Sequence, residues 1–375
     1  MRRVMYLTGT RADFGLMRFA LELIHSRQDL ELGLLVTGMH LDPLYGYTAS
    51  EIEASNLPIV SKVPVGLGGN DGANMARAVG YELLGAVDAL ERFQPHILLL
   101  LGDRGEMLAG AIAALHLNIP IAHIHGGELS GTVDEPVRHA ISKLSHYHFT
   151  ATGGARERLI RMGEKPDCIY VTGAPGLDGL QQMEKRSREE LAPKYGMDPD
   201  SPIALVVFHP VVQEASEAAT QAGLLLDALE SFPRLQALIL MPNADAGGEA
   251  IREIFRVPRP GFKRLVHLPR SEFMEWMATV DVMVGNSSSG IIEAASFGTP
   301  VINVGERQHG RERNMNVRDV PLDRAAIELS LKECFSMKRG PAQNIYGDGC
   351  SSRRIVDLLA TVPLNKDLLM KFNAH

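Results

Sequence analysis

The sequence predicts an α/β protein of two parallel-sheet domains facing each other across a cleft. Three observations carry that expectation. Short apolar runs recur without polar alternation, at residues 4–8, 32–37, 96–101, 119–124, 203–208, 235–240 and 281–284, as strands covered on both faces require. Segments with apolar residues at helical spacing lie between them, the rhythm of a doubly wound sheet. That rhythm breaks in the charged, proline-containing stretch 184–202 and then restarts. With 375 residues and 45% hydrophobic content, the chain has material for two cores.

In the first half, strand 4–8 runs into Thr8-Gly9-Thr10-Arg11-Ala12-Asp13-Phe14-Gly15 and a helix over 16–26. Its glycines do not make the GxGxxG of a dinucleotide site. Strand 32–37 leads to Gly38-Met39-His40 and a long polar stretch, and the glycine-rich run 66–72 reads as a mobile loop before a helix over 73–93. Strand 96–101 ends in Gly102-Asp103-Arg104. A helix over 107–117 and a strand over 119–124 follow, the strand closing in His123-Ile124-His125-Gly126-Gly127-Glu128. Further units occupy 147–151, 155–162 and 169–172.

The second half repeats the pattern: strand 203–208, helix 218–231, strand 235–240, helix 248–255, strand 263–267, helix 271–280, strand 281–284, helix 291–297 and strand 299–303. Helices over 353–361 and 364–372 are placed to cross back onto the first domain. The expected division is 1–175, 176–352 and, for the returning helices, 353–375.

Composition narrows the function. A net charge of -7 and a pI near 6.0 argue against a surface that coats nucleic acid or an anionic membrane. Cys168, Cys334 and Cys350 are far apart, with no CxxC, so neither a disulfide framework nor a cysteine zinc site is expected. Residues 1–7 are too short for a signal-peptide core, and no apolar run reaches membrane-spanning length. The expectation is a soluble cytoplasmic protein with a small-molecule partner.

Polar and charged residues gather just after the strands, at the edge where doubly wound sheets bind ligands. Gly285-Asn286-Ser287-Ser288-Ser289-Gly290 stands between a strand and a helix. Unbonded N–H groups, the helix dipole and close backbone approach at glycine make such a junction an anion site. Alone, the same residues would serve as a helix cap. Their company favours a ligand: Phe208-His209-Pro210, Asn243-Ala244-Asp245 and Gly305-Glu306-Arg307 close other strands of that half. A nucleoside diphosphate would take its pyrophosphate donors from the serines, His209 and Arg307, and a ribose carboxylate from Glu293.

The order TGTRADFG, VTGMH, GDR, HIHGGE with SGTVDEPVRHAISKLSHYH, FHP, NADAG and GNSSSGIIEAASFGTPVINVGERQHGR resembles the UDP-N-acetylglucosamine 2-epimerases, nearest the hydrolysing branch of sialic-acid synthesis, over almost the whole chain. The resemblance implies a GT-B-like fold of two Rossmann-like domains, no metal or nicotinamide cofactor, and a homodimer or homotetramer. It implies UDP contacts from Arg11, His209, Asn243, Ser287, Ser288, Gly290, Glu293 and Arg307. The implied reaction eliminates UDP from UDP-GlcNAc to a 2-acetamidoglucal and hydrates it to ManNAc. Asp103, His125 and Asp134, with Glu128 beside them, form the implied catalytic set; acid and base are not assigned among them. Some members have glutamate where this chain has His125, and a neutral imidazole can exchange protons near neutral pH.

The pairs His123/His125 and His146/His148 invite a metal reading, but no further ligand pattern completes a set, so none is expected. Other readings within the class are a UDP-N,N'-diacetylbacillosamine or GDP-sugar 2-epimerase and the non-hydrolysing branch. Outside it stand a GT-B glycosyltransferase and a non-catalytic nucleotide-sugar sensor.

Overall fold

A computed structural model describes residues 1–66, 71–180, 183, 186–243, 245–337, 339–340 and 343–374. The centre of the glycine-rich run expected to be mobile, 67–70, lies outside them. The first half contains β1 (Arg2–Thr8), α1 (Arg11–Ser26), β2 (Leu30–Thr37), α2 (Ala49–Ala54), β3 (Ile59–Val63), α3 (Gly72–Phe93), β4 (Ile97–Leu101), α4 (Gly105–His116), β5 (Ile121–Ile124), α5 (Asp134–Leu144), β6 (Tyr147–Thr150), α6 (Gly153–Arg161) and β7 (Ile169–Val171). The second contains α7 (Arg188–Leu191), β8 (Ile203–Val207), α8 (Ala218–Glu230), β9 (Gln236–Leu240), α9 (Gly248–Arg256), β10 (Phe262–Leu265), α10 (Arg270–Thr279), β11 (Val282–Gly285), α11 (Ser288–Ile292), β12 (Val301–Val304), β13 (Val317–Val320), α12 (Arg324–Ser336), α13 (Ser351–Thr361) and α14 (Lys366–Leu369).

The strands form two parallel sheets, ordered β3-β2-β1-β4-β5-β6-β7 and β10-β9-β8-β11-β12-β13. Chain order reverses between β1 and β4 in one sheet and between β8 and β11 in the other. Loops leave such a switch point in opposite directions, and a crevice opens there. The apolar strands are buried on both faces, Val4 to Leu7 and Ile203 to Val206 at no more than 1% exposure.

The strands unforeseen in the sequence are both at sheet edges. β3 is flanked by Pro58 and Pro64, and β13 exposes Arg318 and Asp319; an edge strand tolerates both because one side makes no ladder. Helix α5 carries Pro136 in its first turn, where the missing N–H has no intrahelical acceptor to lose. Helix α1 starts five residues before the expected Leu16, because Thr10 and Asp13 form a capping box. The last expected helix shortens to α14: Lys371 is drawn out of helical register to the Ser142 and Lys143 carbonyls, at 3.0 and 2.8 Å, and to Glu164 at 2.7 Å.

Helix α13 lies on the first sheet, its Ile355, Val356, Leu359 and Val362 sharing a core with Val4, Tyr6 and Ile24. Arg27 pairs with Asp357 at 2.7 Å, and Tyr147 donates to the Pro363 carbonyl at 2.6 Å. The two passages of chain between the sheets run side by side. The Ala174 N–H donates to the Tyr346 carbonyl at 2.8 Å, and the Ser351 hydroxyl to the Gly173 carbonyl at 2.7 Å.

Several histidines are structural. The His123 ring spans the Gly102 carbonyl at 2.7 Å and the Ser142 hydroxyl at 3.1 Å, while His146 Nδ1 accepts the Ile121 N–H at 3.1 Å. His40 lies between Thr8 and Thr48, at 2.9 and 2.8 Å. Burial lowers His40 and His146 to about 4 and His123 to about 3, from 6.5. Because the unfolded chain protonates first, each stabilising contribution is complete above pH 6.5 and is lost as the pH falls toward those values. The slope is about 1.4 kcal/mol per pH unit for each group. Urea midpoints should therefore hold above pH 6.5 and fall steeply toward pH 4, and a midpoint unchanged at pH 5 would contradict the neutral assignments.

Candidate active site

The second sheet supplies one wall of the crevice. Gly285 ends β11 with φ 139°, and a Cβ there would run into the Val207 carbonyl oxygen, so β8 and β11 close only around glycine. Asn286 then clamps the two strand ends: its Oδ1 accepts the His209 N–H at 2.7 Å and its Nδ2 donates to the His209 carbonyl at 2.8 Å. Its own carbonyl accepts from Arg307 at 3.1 Å and Gln308 at 2.9 Å. One residue thus fixes the backbone of His209 with its side-chain amide and the side chain of Arg307 with its main-chain carbonyl.

Ser287 caps α11, receiving the Ser289 N–H at 3.3 Å with its hydroxyl 2.8 Å from the Ser289 hydroxyl. The helix begins at Ser288 rather than at the expected residue 291. Among the described residues, the Ser288 N–H and hydroxyl have no partner. Gly290 sits differently from an anion donor: its N–H is engaged by the Ser287 carbonyl at 3.2 Å, and a Cβ would press on Val301, so its place is close packing. Glu293, buried, faces Arg270 at 3.4 Å.

The Asn243 N–H donates to His209 Nδ1 at 3.4 Å, which leaves the proton of the neutral ring on Nε2. Burial, with Arg307 and Arg104 nearby, lowers His209 to about 3 from 6.5. The imidazole is therefore a neutral donor beside two guanidiniums. A recess of about 320 Å3, lined in part by Phe208, Val211, Asn286, Val304 and Arg307, continues from this wall.

The first sheet supplies the other wall. Asp103 leaves β4 and pairs with Arg138 of α5, which also donates to the Glu128 carbonyl at 3.0 Å and the Ser130 hydroxyl at 3.3 Å. His125 follows β5, with its Nδ1 2.5 Å from Glu128 Oε1. Burial would raise the Glu128 carboxyl, but Arg311 and His125 outweigh it and hold it at about 2. Asp134 opens α5. Arg11 opens α1, its Nε 2.7 Å from Glu51 and its Nη1 buried without a partner.

The walls meet through charge and backbone. Asp134 stands 3.7 Å from Arg307, Glu128 3.2 Å from Arg311, and Arg104 3.4 Å from Asp245. The Gly131 N–H donates to the Arg307 carbonyl at 3.1 Å, and any side chain at Gly131 would strike the Glu306 carbonyl. Asp103, His125, Glu128 and Asp134 thus share one wall, tied through Arg138, while His209, Asn243, Ser287, Ser288 and Arg307 share the other.

Residues 22–360 match the family described as UDP-N-acetylglucosamine 2-epimerase. The chain belongs to that family. Among its relatives, the UDP-N,N'-diacetylbacillosamine 2-epimerase (hydrolyzing) of Legionella pneumophila is 50% identical over 100% of both chains. The UDP-N-acetylglucosamine 2-epimerase of Neisseria meningitidis serogroup B is 34% identical over 93% of this chain and 92% of its own. The fold is GT-B-like: the crystal structure of UDP-GlcNAc 2-epimerase from Neisseria meningitidis bound to UDP-GlcNAc superposes with a TM-score of 0.79 at 19% identity, covering 95% of this chain and 99% of that one.

In this chain the motifs missed Arg138, Arg104, Asp245 and Arg311 as members of the site. Their signal was present: each lies one to four residues from a residue that was selected, in a segment already noted. The paired histidines are divided, His123, His146 and His148 going to internal partners and His125 to the crevice wall. Among the described residues, no group of three or more His, Cys, Asp or Glu is gathered as a metal site.

The geometry gives a direct check on the second wall. Arg307→Ala should weaken UDP binding, measured by calorimetry, by roughly tenfold or more, since a charge-assisted hydrogen bond contributes about 1.5–3 kcal/mol. Unchanged affinity would remove Arg307 from the diphosphate site.

Proposed function

We propose that this protein is a hydrolysing 2-epimerase that converts a UDP-linked 2-acetamido sugar and water to UDP and the free 2-epimeric sugar. The observation that carries the reading is the opposition of the two walls. Donors suited to a departing diphosphate, at Ser287, Ser288, His209 and Arg307, face a carboxylate and imidazole set at Asp103, His125, Glu128 and Asp134. Asn243 sets the His209 tautomer, and Arg11 and Glu293 serve the nucleotide, Glu293 by accepting from the ribose hydroxyls.

The chemistry asks for both walls. A base takes the C2 proton, the C2–H electron pair becomes the C1–C2 double bond, and the C1–O pair leaves on the β-phosphate of UDP. Cations and N–H groups on the second wall stabilise that growing charge and are already oriented for it. Water then adds its oxygen to C1, and a proton returns to C2 on the opposite face, delivered by the first wall.

Two sugars are supported. The 50% identity to the Legionella pneumophila enzyme favours UDP-N,N'-diacetylbacillosamine. The family and the 34% identical Neisseria meningitidis relative favour UDP-GlcNAc, which would lead into sialic-acid-type sugars. Cytoplasmic residence and a homodimer or homotetramer belong to the same reading; no described helix is long and apolar enough to cross a membrane.

Proton NMR of the protein with each UDP sugar in deuterated water tests this. Free UDP and a free epimerised sugar carrying deuterium at C2 are expected with at least one substrate; two intact substrates after long incubation would refute the reading. Asp103→Asn keeps an acceptor for Arg138 and so should retain UDP binding while lowering kcat by about 100-fold or more. Full turnover in that variant would remove Asp103 from the catalytic set.

A further inference from the structure

We propose that Arg311, reaching over from the second wall, is a positioning residue that sets His125 through Glu128, so that the imidazole is poised for proton exchange only while the two walls are docked. The inference rests on the epimerase reading and adds to it a division of labour: His125 meets the sugar, and Glu128 and Arg311 act behind it.

His125 has a φ of 63°, a left-handed conformation uncommon outside glycine and of the kind that persists where surroundings impose it. The surroundings are evident. Its N–H donates to the Phe149 carbonyl at 3.1 Å, and its Nδ1 lies 2.5 Å from Glu128 Oε1. An ionised carboxylate only accepts, so Nδ1 carries the proton and the Nε2 lone pair is left over. Among the described residues, Nε2 has no hydrogen-bond partner.

Glu128 can play this part only while ionised, and it is 4% exposed. Burial pushes its carboxyl up; Arg311, first among the opposing influences, and His125, which also hydrogen-bonds it, hold it down. Arg311 Nη2 stands 3.2 Å from the second carboxylate oxygen, and its Nε donates to the Leu129 carbonyl at 3.3 Å. Other charged or titratable groups near this point are Arg138, bonded to the Glu128 carbonyl, Arg158, bonded to the Gly127 carbonyl, Tyr346 with Glu312 and Arg313 beside it, and Arg307 near Arg311. None of these pairs with the Glu128 carboxylate; Arg311 does, as an ion pair rather than a hydrogen bond, since Glu128 Oε2 has no hydrogen-bond partner among the described residues. Arg311 follows β12, on the segment whose Arg307 carbonyl receives the Gly131 N–H, so its reach to Glu128 depends on docking of the walls.

The test compares Arg311→Met, Arg311→Lys and Glu128→Gln in the full chain. UDP affinity should stay within about threefold of wild type in all three, because none contacts the diphosphate donors. In Arg311→Met, kcat should fall at least about tenfold, a part of the 10²–10⁴ that general acid–base catalysis supplies. The limb of the pH–rate profile that depends on His125 should move to higher pH, because the Glu128 carboxylate is left uncompensated. Glu128→Gln should move the same limb to lower pH, and Arg311→Lys should restore most of kcat. A uniform loss of kcat with an unmoved limb in both Arg311→Met and Glu128→Gln would overturn the proposal. Nitrogen NMR of the His125 ring reads it independently of turnover: Nδ1–H is expected in the wild type and a loss of that preference in Glu128→Gln. A preference unchanged there would overturn the positioning even if the protein hydrolysed neither sugar.

Discussion

Arg138 is a full positive charge with 0% exposure. A guanidinium removed from water needs partners, and this one gives Nη1 to the Glu128 carbonyl and the Ser130 hydroxyl and Nη2 to Asp103, while its Nε is buried without a partner among the described residues. Burial, and the repulsion of nearby Arg311 and Arg307, press its pKa down from the ordinary value. The Asp103 carboxylate pairs with the guanidinium there. Removing one partner of such a pair typically costs about 3–5 kcal/mol, so the loops after β4 and β5 and the start of α5 cannot shift independently. The first wall is one unit because a single buried charge requires it to be.

The same rule governs the crevice as a whole. Arg307 and Arg104 are desolvated cations, and carboxylates of the opposite wall, Asp134 and Asp245, balance them. On the function proposed above, a diphosphate entering between the serines and His209 would take over that balancing role at Arg307 and free Asp134. Little dipole reorientation is then left for the moment when the glycosidic bond breaks, the condition under which fixed charges are most effective.

Much of this was legible in the sequence, for identifiable reasons. Strands buried on both faces read as unbroken apolar runs, so the central strands and the position of the crevice followed from pattern alone. The edges did not: β3 is flanked by prolines and β13 carries exposed charges, features compatible with pairing on one side only. The selected residues Asp103, His125, His209 and Ser287 each follow a strand, because strand ends are where polar residues appear against the local grain. What pattern could not supply was partnership. That Asn286 is a clamp, that Gly290 packs, and that Glu128 looks both to His125 and to Arg311 are facts of side-chain direction across long sequence separations, and no period records them.

The first core is completed by α13, whose Ile355, Val356, Leu359 and Val362 lie among residues of β1 and α1. Translation runs from the amino end, so a nascent first domain must wait with that apolar face uncovered while nearly all of the second is made. Its folding on the ribosome is therefore not sequential in the simple sense, and the uncovered face is a natural point of contact for chaperones. A second domain that stalls or misfolds would leave its neighbour unfinished as well.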